Sequence, residues 1–164
     1  KQKMKNKIFI LFVIALAVVS CNSNYVFDQY KALENSTWNQ QKSIDFSFSV
    51  TDTISKNNAY INLRNTKDYA YSNLFLITRM NFPDGQSIVD TLEYDMADVT
   101  GKFLGEGFTD IKQNKLFYKE NITFPVKGDY TFSVQQAMRK NGNIEGVTEL
   151  TGITHVGFKI EKIN

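Results

Sequence analysis

Apolar residues follow two rhythms along this chain. Over residues 8–19 they run unbroken, and from residue 44 onward they alternate with polar ones. Ile44, Phe46, Phe48 and Val50 alternate strictly with Asp45, Ser47 and Ser49, the two-residue period of a strand with one buried face. Further strands are predicted over 60–63, stopped by the polar stretch 64–68, and over 74–82, with Leu74, Leu76, Met80 and Phe82 on one face. Residues 87–96 return with Ile88, Leu92, Tyr94 and Met96 in phase. Between these two lies Pro83-Asp84-Gly85. Pro sets φ for a turn, Asp bonds nearby backbone and Gly accepts positive φ, so the pair reads as a hairpin. Gly101, Gly105 and Gly107 mark a loop, 108–111 and 116–124 read as strands, and 125–128 turns the chain. Tyr130, Phe132 and Val134 then alternate, Asn141-Gly142 marks a turn, and Val156, Phe158 and Ile160 alternate to the end. Residues 26–38 mix apolar and charged side chains without a period, and no state is assigned to them. Roughly eight short strands without a long amphipathic helix predict an all-β fold, a single antiparallel β-sandwich of jelly-roll-like form.

The unbroken run has a different meaning. A helix over 8–19 spans about 18 Å at 1.5 Å per residue, against a bilayer core of roughly 30 Å. With Lys1, Lys3, Lys5 and Lys7 ahead of it, it fits the apolar region of an export signal and is too short to cross a membrane. The chain opens on Lys, so its start is expected upstream or at Met4. The segment ends Val18-Val19-Ser20-Cys21, which resembles the lipobox of bacterial lipoproteins. That resemblance implies cleavage before Cys21, a diacylglyceryl group on its thiol and an acylated amine, enough acyl chains for stable anchoring. The expected division is a signal peptide over 1–20, the lipidated Cys and a tether over 21–25, and one β-sandwich domain over 26–164.

Composition narrows the choice of function. Cleavage removes four Lys and no acid, which takes the formal charge from +2 to −2; a basic nucleic-acid-binding surface is therefore not expected. With Cys21 the single Cys, the domain has no disulfide and must be held by an apolar core. Thirteen Phe, eight Tyr and one Trp supply it.

Few residues carry candidate chemistry. Gly101-Lys102 is followed by Phe103 where a phosphate-binding P-loop needs Ser or Thr. His155 is the single His and no Gly-x-Ser-x-Gly elbow accompanies it, so it reads as a surface or strand-end residue and no catalytic site is assigned. Asp90, Glu93, Asp95 and Asp98 form an acidic stretch, but alternation puts Glu93 and Asp95 on a solvent face, as a half-buried strand does anyway. One His without a free Cys cannot build a structural zinc site; no metal or cofactor is expected. Tyr69, Tyr71 and Phe103 lie in loops and are candidates for an exposed aromatic platform. Asp52-Thr53-Ile54 and Asp90-Thr91-Leu92 look like the acceptor triplet for O-glycosylation of exported Bacteroidetes proteins, with Thr53 and Thr91 as acceptors.

Taken in order, several segments resemble the GldH-type gliding motility lipoproteins of the Bacteroidetes. They are Tyr-Ala-Tyr-Ser-Asn-Leu (69–74), Phe-Pro-Asp-Gly (82–85), Asp-Thr-Leu-Glu-Tyr (90–94), Gly-Lys-Phe-Leu-Gly-Glu-Gly (101–107), Gly-Asp-Tyr-Thr-Phe (128–132), Gln-Gln-Ala-Met-Arg (135–139) and Val-Gly-Phe-Lys-Ile-Glu (156–161). The chain departs from the family pattern at Ala70, Phe103 and His155, where Pro, Trp and Asp are expected. The resemblance implies a non-enzymatic accessory or interaction component of a gliding machinery linked to type IX secretion. Its partners would be envelope proteins and, through the lipid on Cys21, a membrane. Tyr69, Tyr71, Phe103 and Arg139 are the contact residues this membership and loop placement nominate. No acid follows Cys21 in Asn22, Ser23 and Asn24, which favours the periplasmic face of the outer membrane. The rival is a carbohydrate- or peptidoglycan-binding module, marked by a groove of coplanar aromatics. A lipocalin-like carrier, marked by an enclosed apolar cavity, comes third.

Overall fold

In the computed structural model, which describes residues 25–140, 142 and 144–163, the alternating segments become strands of two facing antiparallel sheets. The strands are β1 (Tyr25–Ala32), β2 (Thr37–Asn39), β3 (Ile44–Val50), β4 (Asn57–Asn65), β5 (Asn73–Asn81), β6 (Ser87–Asp95), β7 (Lys112–Ile122), β8 (Gly128–Gln136), β9 (Glu149–Thr151) and β10 (Ile153–Lys162). One sheet has the order β1-β10-β4-β7 and the other β3-β8-β5-β6, while β2 pairs with β9 in a small separate ribbon. Apart from the β5–β6 hairpin and the ribbon, each successive strand crosses to the opposite sheet. That is the eight-stranded, double Greek-key order of a jelly roll. The expected signal segment, Cys21 and residues 22–24 lie outside the described residues, as does Asn141 of the expected Asn141-Gly142 turn.

The predicted strands are found where a local signal specifies them. The alternation at 44–50 coincides with β3, and every second residue is buried. The hairpin closes as its turn chemistry requires: the Gly85 amide donates to Phe82 O at 3.1 Å and the Phe82 amide to Gln86 O at 2.9 Å. Asp84 Oδ1 accepts the Gln86 amide at 3.0 Å, and Gly85 sits at φ 85°. Residues 26–38, to which the sequence assigns no state, hold most of β1 and β2. Two expectations need correction. Tyr25, expected in the tether, opens β1. The strand expected at 108–111 is a series of bends; Phe108 and Ile111 do not alternate, and Phe108 is fully exposed, so nothing is gained by pairing there. Thr78 takes the inward position on β5 between Leu76 and Met80, and Phe82 falls just past the strand.

The space between the sheets is filled by aromatic rings. Phe132 of β8 stacks on Phe158 of β10 with centroids 3.9 Å apart and planes 16° from parallel. Phe27, Phe48 and Tyr118 surround Phe158 at 6.1, 5.9 and 6.3 Å, and Phe48 stacks on Tyr130 at 5.6 Å. One open edge of the sandwich is tied by polar groups. Tyr118 donates its hydroxyl to Asp90 Oδ2 at 2.9 Å, Lys119 Nζ pairs with the same oxygen at 3.0 Å, and Tyr94 donates to Phe117 O at 2.7 Å. Each of these contacts joins β6 to β7.

Two consequences can be measured. Truncating Phe158→Ala removes the ring that the others surround and is expected to cost about 3–5 kcal/mol, read as a lower urea midpoint at unchanged slope. Burial also pushes the phenols of Tyr69 and Tyr118 up, and that of Tyr94 up to about 12. In the unfolded chain they ionise near 10, so the folded state holds protons the unfolded state loses. Their contribution is complete below about pH 10 and is lost as pH rises through the folded values; the urea midpoint should decline between about pH 10 and 12.

Candidate functional site

The crossing pattern gives the sandwich two unequal ends. At the end where β1 begins, Tyr25 pairs with Glu161, Val50 with Gly128 and Asn81 with Ser87. The connections there are the short 51–56, 82–86 and 123–127. The opposite end carries 33–43, 66–72, 96–111 and 137–152, the last two long, together with the β2–β9 ribbon. Long connections on a rigid sandwich are where binding residues concentrate. Tyr69, Tyr71, Phe103 and Arg139 all fall on this elaborated end.

Tyr69 meets two of the other three. The Tyr69 ring lies 5.8 Å from Tyr71 and 6.4 Å from Phe103, at interplanar angles of 64° and 49°. The rings are packed against one another and are not laid out as a platform. Tyr69 is 3% exposed and donates its hydroxyl to Asn73 O at 2.6 Å; the loop residue expected at the surface is a core residue. Tyr71 and Phe103 are half-buried on the same cluster, and Phe103 bridges to Ala97. The backbone at Tyr69 is closely approached by Gly152 at φ 91°, whose missing side chain would lie 2.3 Å from Tyr69 N. Gly152 also accepts the Thr66 amide and donates to Ser36 O, both at 2.8 Å, so one residue joins three connections. Nearby, buried Gln136 donates to Val147 O at 2.6 Å and accepts the Met138 amide at 2.9 Å.

Arg139 stands apart from the ring cluster. It borders a cleft of about 510 Å3 on the outer face of the β3-β8-β5-β6 sheet, with Phe75, Ile77 and Ala137 as an apolar floor and Thr91 and Lys140 on its rim. Ile77 is 40% exposed, unusual for an aliphatic side chain on a solvent-facing sheet surface. Among the described residues neither Arg139 nor Lys140 makes an ion pair. The cleft therefore offers an apolar surface beside two uncompensated cations. Thr91 is exposed there opposite Ile77. Thr53 is half-buried in the 51–56 turn.

The remaining chemical candidates are spread out. His155 is half-buried on β10 with Nδ1 3.0 Å from Thr154 Oγ1. Asp90 is held at the β6–β7 edge, Glu93 accepts from Asn73 at 2.9 Å, and Asp98 Oδ1 accepts from Thr100 and Lys102. Among the described residues no three acidic or His side chains group as metal ligands. The outer face of the other sheet is an arrangement that the sequence reading misses. Arg64 lies 4.5 Å over the Tyr30 ring and Lys115 4.0 Å over Tyr60, while Phe117 meets Tyr60 edge-on at 78°. The alternation of Tyr60, Asn62 and Arg64 with Ile61 and Leu63 is the signal that locates it. Its rings are not coplanar, and cations already occupy two of them.

A family model described as GldH lipoprotein matches residues 25–160. The chain is 46% identical over 155 residues to a gliding motility lipoprotein GldH homolog of Christiangramia forsetii, covering 94% of each chain. It is 45% identical over 153 residues to gliding motility lipoprotein GldH of Flavobacterium johnsoniae, covering 93% of this chain and 94% of that one. Among solved structures, the infectious bursal disease virus VP2 subviral particle aligns over 88% of this chain and 34% of its own at 14% identity and a TM-score of 0.41, a likeness too loose to carry an argument.

The junction at Gly152 is testable. Gly152→Ala places a methyl against the Tyr69 backbone at positive φ and should cost at least about 2 kcal/mol. A lower melting temperature, with faster amide exchange confined first to 66–72, is the expected result.

Proposed function

This chain belongs to the GldH lipoprotein family, and from that premise we propose that it is a non-enzymatic, lipid-anchored envelope protein that binds a protein partner of the gliding and type IX secretion machinery. Cys21 carries the lipid, and the domain faces the periplasm from the outer membrane. The contact surface is the elaborated end, with Arg139 as its charged element and Tyr71 and Phe103 as its half-exposed aromatic rim. Tyr69 supports that rim from beneath.

The observation that carries this reading is the Arg139 cleft. An apolar floor from Phe75, Ile77 and Ala137 beside two unpaired cations suits a protein segment with an apolar anchor and an acidic group, and such anchors dominate interface energetics. The carbohydrate reading is less well supported, because the loop aromatics are packed edge to face. A carrier would need an open interior, and the rings between the sheets occupy it. Thr53 and Thr91 stand as proposed O-glycosylation acceptors. A sugar on Thr91 would lie across the cleft itself, so the intact mass of the mature protein decides whether the floor is free.

The test is a gliding strain carrying the double variant Ile77→Ser, Arg139→Glu in place of its own gene. Both residues are exposed, so the melting temperature and membrane fraction of the protein should be unchanged. Colony spreading should be lost, and recovery of gliding or secretion proteins with the tagged, lipidated protein should fall by about tenfold or more. Normal spreading with undiminished recovery would remove the cleft from the proposal.

A further inference from the structure

The lipid on Cys21 constrains how the domain stands, and the inference that follows rests on that reading. Four residue steps separate Cys21 from Tyr25, the first residue of β1, and a fully extended chain covers at most about 14 Å over that distance. The headgroup layer of one leaflet is itself about 5–8 Å deep. The start of β1 and the connections beside it must therefore lie at the membrane surface.

That end is built to meet such a surface. Ile54 is 86% exposed at the tip of the 51–56 turn, with Tyr25 at 47%, Val26 at 39% and Ile163 at 42% around it. The turn is held in shape by Asp52, whose Oδ1 accepts the amides of Ile54 and Ser55, both at 3.0 Å, and whose Oδ2 accepts the Ser55 hydroxyl at 2.6 Å. Ile54 projects from a turn in which its own amide and that of Ser55 are already satisfied, so burying its side chain in an interface leaves those two donors nothing to lose. Asp52 and Ser55 share a cleft with Tyr25, Val26 and Lys162, which places the turn directly beside the start of β1. The charges at this end are of mixed sign, with Lys56, Lys127 and Lys162 exposed near Asp52 and Asp129, so the attraction is apolar.

We propose that Ile54, Tyr25, Val26 and Ile163 form a membrane-contact face that dips into the headgroup layer, so that the domain stands upright on its anchor. β7 runs from the opposite end to this one over Lys112–Ile122, about 35 Å at the rise of a strand. In this pose the long connections are held roughly that far above the lipid, and the Arg139 cleft reaches from them down to Ile77, midway along β5. The face does not depend on anionic lipid or on low salt, unlike a polybasic one.

The test uses the lipidated protein purified from the envelope, with Ile54→Trp or Phe108→Trp, in phosphatidylcholine–phosphatidylethanolamine vesicles containing bromine-labelled lipid. The native Trp38 is buried at the far end and supplies a constant background, and Phe108, fully exposed on the 96–111 connection, reports that end. The added emission of Ile54→Trp should fall by at least about two-fold at any salt concentration, as expected for a side chain at the headgroup boundary, and that of Phe108→Trp should be unchanged. Unquenched Ile54→Trp in vesicle-bound protein would overturn the face, leaving that surface to a protein partner. Equal quenching of both would overturn the upright stance. An intact mass without lipid on Cys21 would instead overturn the anchoring on which the inference rests.

Discussion

The stack of Phe132 on Phe158 is the contact on which the rest of this molecule depends. It joins the middle of one sheet to the middle of the other, since β8 and β10 are both inner strands. No disulfide is available to share the load in a chain with a single Cys. The sheets are therefore held together by ring burial and dispersion, with Phe27, Phe48 and Tyr118 packed around the central pair. The polar ties at the β6–β7 edge are secondary in energy but decisive for closure. Asp90 holds both a Tyr hydroxyl and a Lys on the neighbouring strand, so the edge is occupied and less available for pairing with another chain.

Because consecutive strands mostly cross between sheets, every connection lies at one end or the other, and the chain treats the ends differently. Three short connections close one end with little more than turn chemistry. The other holds two long connections, a two-stranded ribbon, a buried Gln and a glycine that joins three segments. Such an end costs conformational entropy to order, offset here by burying Trp38, Tyr69 and Leu150 beneath it. The asymmetry gives physical content to the proposed function: the side chains nominated as contacts are spread over the connections of one end, and the packing that orders that end continues the core between the sheets.

What was legible in the sequence follows the range of the interactions. β3 and the β5–β6 hairpin are readable because a two-residue period and Pro-Asp-Gly act locally. β1 is not, because an edge strand buries little more than Phe27 and shows no clean period. β9 exists only through its pairing with β2 across more than a hundred residues. Tyr69 reads as a surface residue because it sits in a polar loop, yet the loop folds back under Gly152 and the ring is buried. The Arg139 cleft is invisible from any window, since its floor combines Phe75 and Ile77 of β5 with Ala137 beyond β8. The family resemblance placed Arg139 among the contact residues without indicating what it would stand beside.

With Cys21 lipidated as proposed, the length of the tether would itself constrain the domain. A long flexible linker would let either end of the sandwich approach the membrane, and the exposed Ile54 and the exposed Phe108 would then be equivalent as lipid-seeking side chains. Four residue steps from a lipidated Cys21 would remove that freedom, because the reach of the chain is shorter than the domain is tall. The same constraint that would bring Ile54 to the headgroups would keep Phe108 away from them. Exposed apolar groups at the far end would then be left for the proposed protein partner. On this proposal anchoring and recognition would be divided between the two ends by chain length alone, and lengthening the tether would weaken the division without altering a single contact within the fold.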